Sequence, residues 1–146
     1  MARYSIAGRS TVVGTSARAQ FSLFATASVI ARIREIGVFN TTAVALAVAV
    51  ARFSAATNVG SGLTEEKMDP LTVAASCTGF AGHTGDGTVS GSPVRQGSLG
   101  AAIGSGIVWT FGGDGLILPA GTANGVGVIV PTGTGQITDY YLEWEE

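Results

Sequence analysis

The chain has 146 residues, the usual size of one domain and enough to bury a real core. Only 12% of its residues are charged, about half the usual share, while 22 are glycine. The net charge is −2 and the arginines are scattered, with Arg32 and Arg34 the only close pair, which argues against a nucleic-acid backbone as the main partner.

A surface this short of charge points to assembly, with copies of the same chain or with another protein. Lys67 is the only lysine. The acidic residues gather at TEEKMD (Thr64–Asp69) and in the final YYLEWEE, where solvated faces are the simplest reading.

The first segment, Met1–Ala19, mixes arginine with small residues and carries little core pattern. It reads either as an arm that orders on a neighbour or as a first strand and a loop, ahead of one domain over 20–146. MARYSIAGRS has no apolar signal core, so synthesis in a cytoplasm is expected. No apolar run nears the roughly 18–20 residues of a membrane-spanning helix, so no membrane partner is expected.

Next, Gln20–Ala27 alternates weakly, and Val29–Thr42 is rich in β-formers, with Glu35 and Gly37 marking a bulge or an interrupted alternation. Ala43–Ala51 contains only Ala, Val and Leu. Val44, Leu46, Val48 and Val50 fall on alternate residues, which is period two and predicts a strand, led out by RF and SAAT. The intervening alanines make a flat face that another sheet or subunit can approach closely. LTEEKMD (Leu63–Asp69) is the one helical candidate, a single turn capped by Thr64 and ended by Pro70. Pro70–Gly85 reads as a short strand and a glycine-rich loop, and Gly82–Ser92 as the most loop-like stretch.

Gly106–Glu146 has the clearest pattern. The strands IVWTF, LIL, VGVIV and ITDYYLEWEE are separated by the turns GGDG, AGTANG and PTGTG. The last strand puts Tyr140, Leu142 and Trp144 on one face and Asp139, Tyr141, Glu143 and Glu145 on the other. Short strands with regularly recurring turns predict an all-β fold: a single-domain antiparallel β-sandwich or jelly roll with at most one short helical turn.

Chemistry is sparse in the sequence. Cys77 has no second cysteine to pair with, and a nucleophilic role would need His83, the only histidine, six residues on. HTGD (His83–Asp86) offers two metal ligands at most, and GGDG and GDGT carry one carboxylate each, so all three read as loops and turns. GSLGAAIGSG (Gly97–Gly106) lacks the Lys-Ser/Thr that follows a phosphate-binding loop. Glu35 lies beside arginines, where an ion pair is the simple reading. Trp109, Phe111, Tyr140, Tyr141 and Trp144 are candidates for a sugar-binding surface, but core packing accounts for most of them, and Tyr141 is the best exposed candidate. The sequence marks no catalytic, cofactor-binding or metal-ligating residue, and no enzyme is expected.

RIREIGVFNTTA, then SLGAAIGSGIVWTFGGDGLILPAGTANGVGVIV, then GTGQITDYYLEWEE resemble a family of small structural proteins of tailed bacteriophages. EIGVFNTT and GLILPAGTANGVGV carry most of the resemblance, which spans roughly Arg3 to Glu146. It implies a jelly-roll-like virion component, most naturally a decoration (cement) protein. Its implied partners are the major capsid protein and itself, as a homotrimer, with no direct contact to nucleic acid. It implies a chain made in the bacterial host and located on the capsid surface. The alternatives are a tail, neck or fibre domain that contacts the host surface or carbohydrate, and a small cellular enzyme or sugar-binding domain.

Overall fold

The structure is a computed structural model in which residues 1–55 and 59–146 are described. The described residues contain twelve strands and no helix: β1 (Arg3–Arg9), β2 (Phe21–Phe24), β3 (Ala31–Asn40), β4 (Leu46–Ala55), β5 (Ser61–Gly62), β6 (Glu66–Lys67), β7 (Thr78–Ala81), β8 (Thr88–Leu99), β9 (Gly106–Thr110), β10 (Leu116–Leu118), β11 (Gly125–Ile129) and β12 (Thr138–Glu145).

They form two antiparallel sheets packed face to face, a β-sandwich. The first sheet runs β10-β3-β12-β1-β6, with β9 continuing the β10 edge along β3. The second runs β5-β7-β2-β11-β4-β8. Most connections cross from one sheet to the other, so neighbours in space are distant in sequence. The segment Arg3–Arg9 is a full member of the first sheet, hydrogen-bonded between β12 and β6.

Alternation drives the packing. Tyr140, Leu142 and Trp144 of β12 point inward with Tyr4 and Ile6 of β1 and Ile33, Ile36 and Val38 of β3. They meet Phe21 and Leu23 of β2, Val126 and Val128 of β11, and Leu46, Val48 and Val50 of β4. Tyr140 stacks on Phe21 with ring centroids 4.1 Å apart. A smaller cluster of Ala19, Phe24, Ala49, Ala51, Phe53 and Ile129 lies on the other face of the second sheet. The alanine face of β4 is therefore not left open for a subunit at Ala49 and Ala51. Both are fully buried within the chain, against aromatic rings whose volume compensates for the small alanines. Ala56 and Thr57, the end of the SAAT lead-out, lie outside the described residues.

The bulge expected near Glu35 and Gly37 falls at Arg34. Glu143 pairs with Glu35 and Trp144 with Ile33, so Arg34 is the extra residue. The extra residue lets Arg34 and Arg32 both reach the turn between β9 and β10. Arg34 Nη1 donates to Gly113 O (2.6 Å) and Arg32 Nη1 to Asp114 O (3.2 Å). That turn is GGDG, closed by Gly115 N donating to Gly112 O, with Gly113 and Gly115 at φ 60° and 75°.

Two expectations are corrected. The helical turn over Leu63–Asp69 does not form. Its backbone groups are taken by strand partners: Leu63 N donates to Gly79 O, Glu66 and Lys67 pair with Ser5 and Tyr4, and Met68 N donates to Arg3 O. Seven residues give too little helix to compete with those partners. The turn begins later, at Asp69, whose carboxylate accepts Leu71 N while its carbonyl accepts Thr72 N. The second half of the loop-like Gly82–Ser92 is also strand, the start of β8. This strand lies at the sheet edge, is solvated over most of its length and is held by backbone pairing to β4, so it needs no apolar alternation. Ser90 pairs with Arg52 and Arg95 with Val50, so Gly91–Val94 bulges out opposite Ala51. With Pro93 in the bulge, the free edge is a poor template for another strand.

Candidate functional site

The outer face of the first sheet carries many of the charged residues in ordered rows. Strand register aligns Arg3–Glu145–Arg32–Ile117, then Ser5–Glu143–Glu35–Thr110, then Ala7–Tyr141–Gly37–Val108, then Arg9–Asp139–Phe39–Gly106. Ion pairs flank the third row, one in the fourth row and three towards the first. Arg9 Nε and Nη2 hold the Asp139 carboxylate at 2.6 and 2.9 Å, and Arg34 Nη2 meets Glu145 at 2.6 Å. Arg32 meets Asp114 at 3.3 Å and Arg3 meets Glu143 at 3.6 Å. The Arg9 hydrogen bond holds Asp139 below its ordinary pKa, and the Arg34 hydrogen bond does the same for Glu145. Glu35 does not form the expected ion pair with an arginine. The neighbouring arginines are engaged at the GGDG turn and Glu145, and Glu35 accepts the Tyr141 hydroxyl at 2.5 Å. Burial, reinforced by that carboxylate, pushes the Tyr141 phenol up to about 12.

Between the ion pairs lie two aromatic rings. A Cβ on Gly37 would fall against Cε1, Cζ and Cδ1 of Tyr141, so this ring lies across the glycine facing it on β3. A Cβ on Gly106 would likewise meet the ring of Phe39, its facing partner. Each ring thus leans one strand sideways, in the same direction, onto a residue with no side chain. The two centroids are 6.3 Å apart and the planes differ by 24°. Both rings are half-buried, and Ala7 and Val108 beside them are exposed.

The other aromatic candidates are elsewhere. Trp109, Phe111, Tyr140 and Trp144 are all buried in the core. Phe39 is not among the residues that the sequence marks. Its outward parity with Glu35 and Gly37 is legible there, but the glycine beneath it is not.

Cys77 and His83 have separate surroundings. Cys77 is buried, its thiol pushed up to about 12 chiefly by burial and then by Glu146, whose carboxylate accepts Ser76 N and Cys77 N. His83 is buried on the outer side of the second sheet, and its Nε2 is 2.8 Å from Ser22 Oγ, itself fully buried. Asp86 accepts the Thr15 hydroxyl at 3.2 Å. Among the described residues no group of three or more His, Cys, Asp or Glu is gathered to hold a metal.

Burial lowers the His83 pKa from 6.5 to about 4. The unfolded chain therefore binds this proton more readily than the folded one. Its contribution to stability is complete above pH 6.5 and is lost progressively as pH falls towards about 4. Urea midpoints measured across that window are expected to fall with acidification, and His83→Gln is expected to flatten the decline. An unchanged decline in H83Q would assign it to the carboxylates instead. Comparison of the chain with protein-family models, with curated proteins and with solved structures finds no match.

Proposed function

We propose that this protein is a structural component of a tailed-phage virion, a decoration protein of jelly-roll type that binds the outside of the head and stabilises it. On this reading it self-associates as a trimer and contacts the major capsid protein. The two segments that carry the family resemblance are framework elements: EIGVFNTT is most of β3 and its exit, and GLILPAGTANGVGV spans β10, the turn and β11.

The observation that best supports the reading is the loop over 68–73. It presents Met68, Leu71 and Val73 to solvent, with Leu71 94% and Val73 78% exposed. Hydrogen bonds hold it in place. Asp69 closes the turn, Met68 N donates to Arg3 O, and the Tyr4 hydroxyl donates to Val73 O at 3.1 Å. Apolar side chains on a pre-ordered loop lose little entropy when a partner covers them. Covering each yields about 1.5–3 kcal/mol, and a symmetric shell repeats that gain at every copy.

The test is the copy number in purified virions, by quantitative mass spectrometry against the major capsid protein. A ratio of the same order as the capsid subunit is expected. A dozen copies or fewer would move the protein to the tail or neck, and absence would remove both roles. The paired substitution Leu71→Asp and Val73→Asp is expected to abolish head binding without lowering the thermal midpoint. Sedimentation equilibrium of the free protein tests the trimer, and a monomer at all concentrations would remove it.

A further inference from the structure

We infer that the Tyr141–Phe39 face of the first sheet is a binding platform for a neutral carbohydrate chain. The inference does not depend on the virion reading.

Geometry carries it first. Tyr141 and Phe39 present two nearly parallel rings side by side, 6.3 Å apart, each lying on a glycine of the adjacent strand. The glycines are what let the rings lie down. With any side chain at 37 or 106 the rings would be lifted off the sheet. The result is a flat apolar strip, extended by exposed Ala7 and Val108 in the cross-strand row of Tyr141. The separation of the rings is comparable to the width of one sugar ring. Two consecutive pyranoses can each set the C–H face of the ring against one aromatic π-face, whose partial negative charge complements those hydrogens.

The polar groups around the strip fit the same ligand. Arg9–Asp139 lies beside Phe39, since Asp139 is its facing residue on β12. Glu35, Glu143 and Arg3 lie on the other side of Tyr141. These groups offer donors and acceptors together, the mixture that sugar hydroxyls require. They are also pre-positioned, because each ion pair and the Glu35–Tyr141 hydrogen bond hold them before any ligand arrives.

Charge decides against the nearest competitor. Stacking platforms for single-stranded nucleic acid pair aromatic rings with a positively charged groove. Here every arginine on the face is matched to a carboxylate, and Glu35 adds a further acidic group. Among the described residues this face leaves no arginine unmatched to hold a polyanion. A neutral glycan meets no such requirement.

The experiment is two-dimensional amide NMR of the intact protein, titrated to millimolar concentration with cellohexaose, maltohexaose, laminarihexaose and the hexamer of β-1,4-linked N-acetylglucosamine. Shifts at Ala7, Phe39, Val108 and Tyr141 are expected with at least one of these probes, unaffected by moderate salt. Tyr141→Ala and Phe39→Ala are each expected to weaken that binding about tenfold or more, whereas Tyr141→Phe retains most of it. The Phe39 variant serves as the independent check where Tyr141→Ala lowers the thermal midpoint. No shift at this face with any of the four probes would overturn the inference. So would binding that survives both alanine variants, or binding of a polyanion alone that disappears as salt is raised.

Discussion

Trp144→Ala is expected to lower the unfolding free energy by about 3–5 kcal/mol, well above the common range for a point substitution. Trp144 is fully buried on the inward face of β12. Its ring packs against Tyr4 at a centroid distance of 5.7 Å, and its Nε1 donates to Glu146 at 3.1 Å. Truncation leaves a cavity between the sheets that the surrounding strands cannot close without breaking register. It also removes one of the donors that position the Glu146 carboxylate, which accepts Ser76 N and Cys77 N across the end of the sandwich. Urea denaturation followed by near-ultraviolet circular dichroism measures the loss. A cost below about 1 kcal/mol would mean that this end of the core is not packed as described. Tyr141→Ala, three residues earlier and on the outer face, is expected to cost much less, because its ring is only half-buried.

Gly125→Val is expected to destabilise by about 3 kcal/mol through overpacking. Gly125 faces Phe24 across β11 and β2, and a Cβ there would meet Cε1, Cδ1 and Cζ of the ring. Phe24 cannot swing clear, because it is buried with Phe53 at 6.2 Å and Phe80 at 6.1 Å. The mechanism has its own check. Adding Phe24→Ala removes the obstructing ring, so the double variant is expected to be less destabilised than the sum of the two single ones. Strict additivity of the thermal-melting data would sink this account. The same ring-on-glycine device recurs at Gly37 under Tyr141 and Gly106 under Phe39, always between directly paired residues. In this chain glycine is thus partly a surface for aromatic rings as well as a turn former.

How far the sequence is legible depends on what each feature rests on. The strands β4, β9, β10, β11 and β12 follow from alternation and turn residues, and the inward and outward faces of β12 agree residue by residue with the burial observed. The bulge near Glu35 is legible because charged and glycine residues interrupt a β-rich run, although its position at Arg34 depends on the partner strand. β8 is not legible. An exposed edge strand rich in Ser and Gly has the composition of a loop, and only the backbone groups of β4 make it a strand. The turn at Leu63–Asp69 misleads for the converse reason, since its local helical signals are outweighed by hydrogen bonds to residues far away in the chain.

The candidate site divides in the same way. Tyr141 can be recognised as an outward-facing aromatic from parity alone. Phe39 joins it only because β9 pairs with one side of β3 and β12 with the other, which brings Gly106 and Gly37 beneath the two rings. By itself the sequence determined the all-β class, the alternation of faces along most strands, and a surface poor in charge, because those properties are local and periodic. The tertiary structure decided which strands are neighbours and in what register. Register pairs residues more than a hundred positions apart, such as Gly37 with Tyr141, and no local period in the chain encodes that pairing.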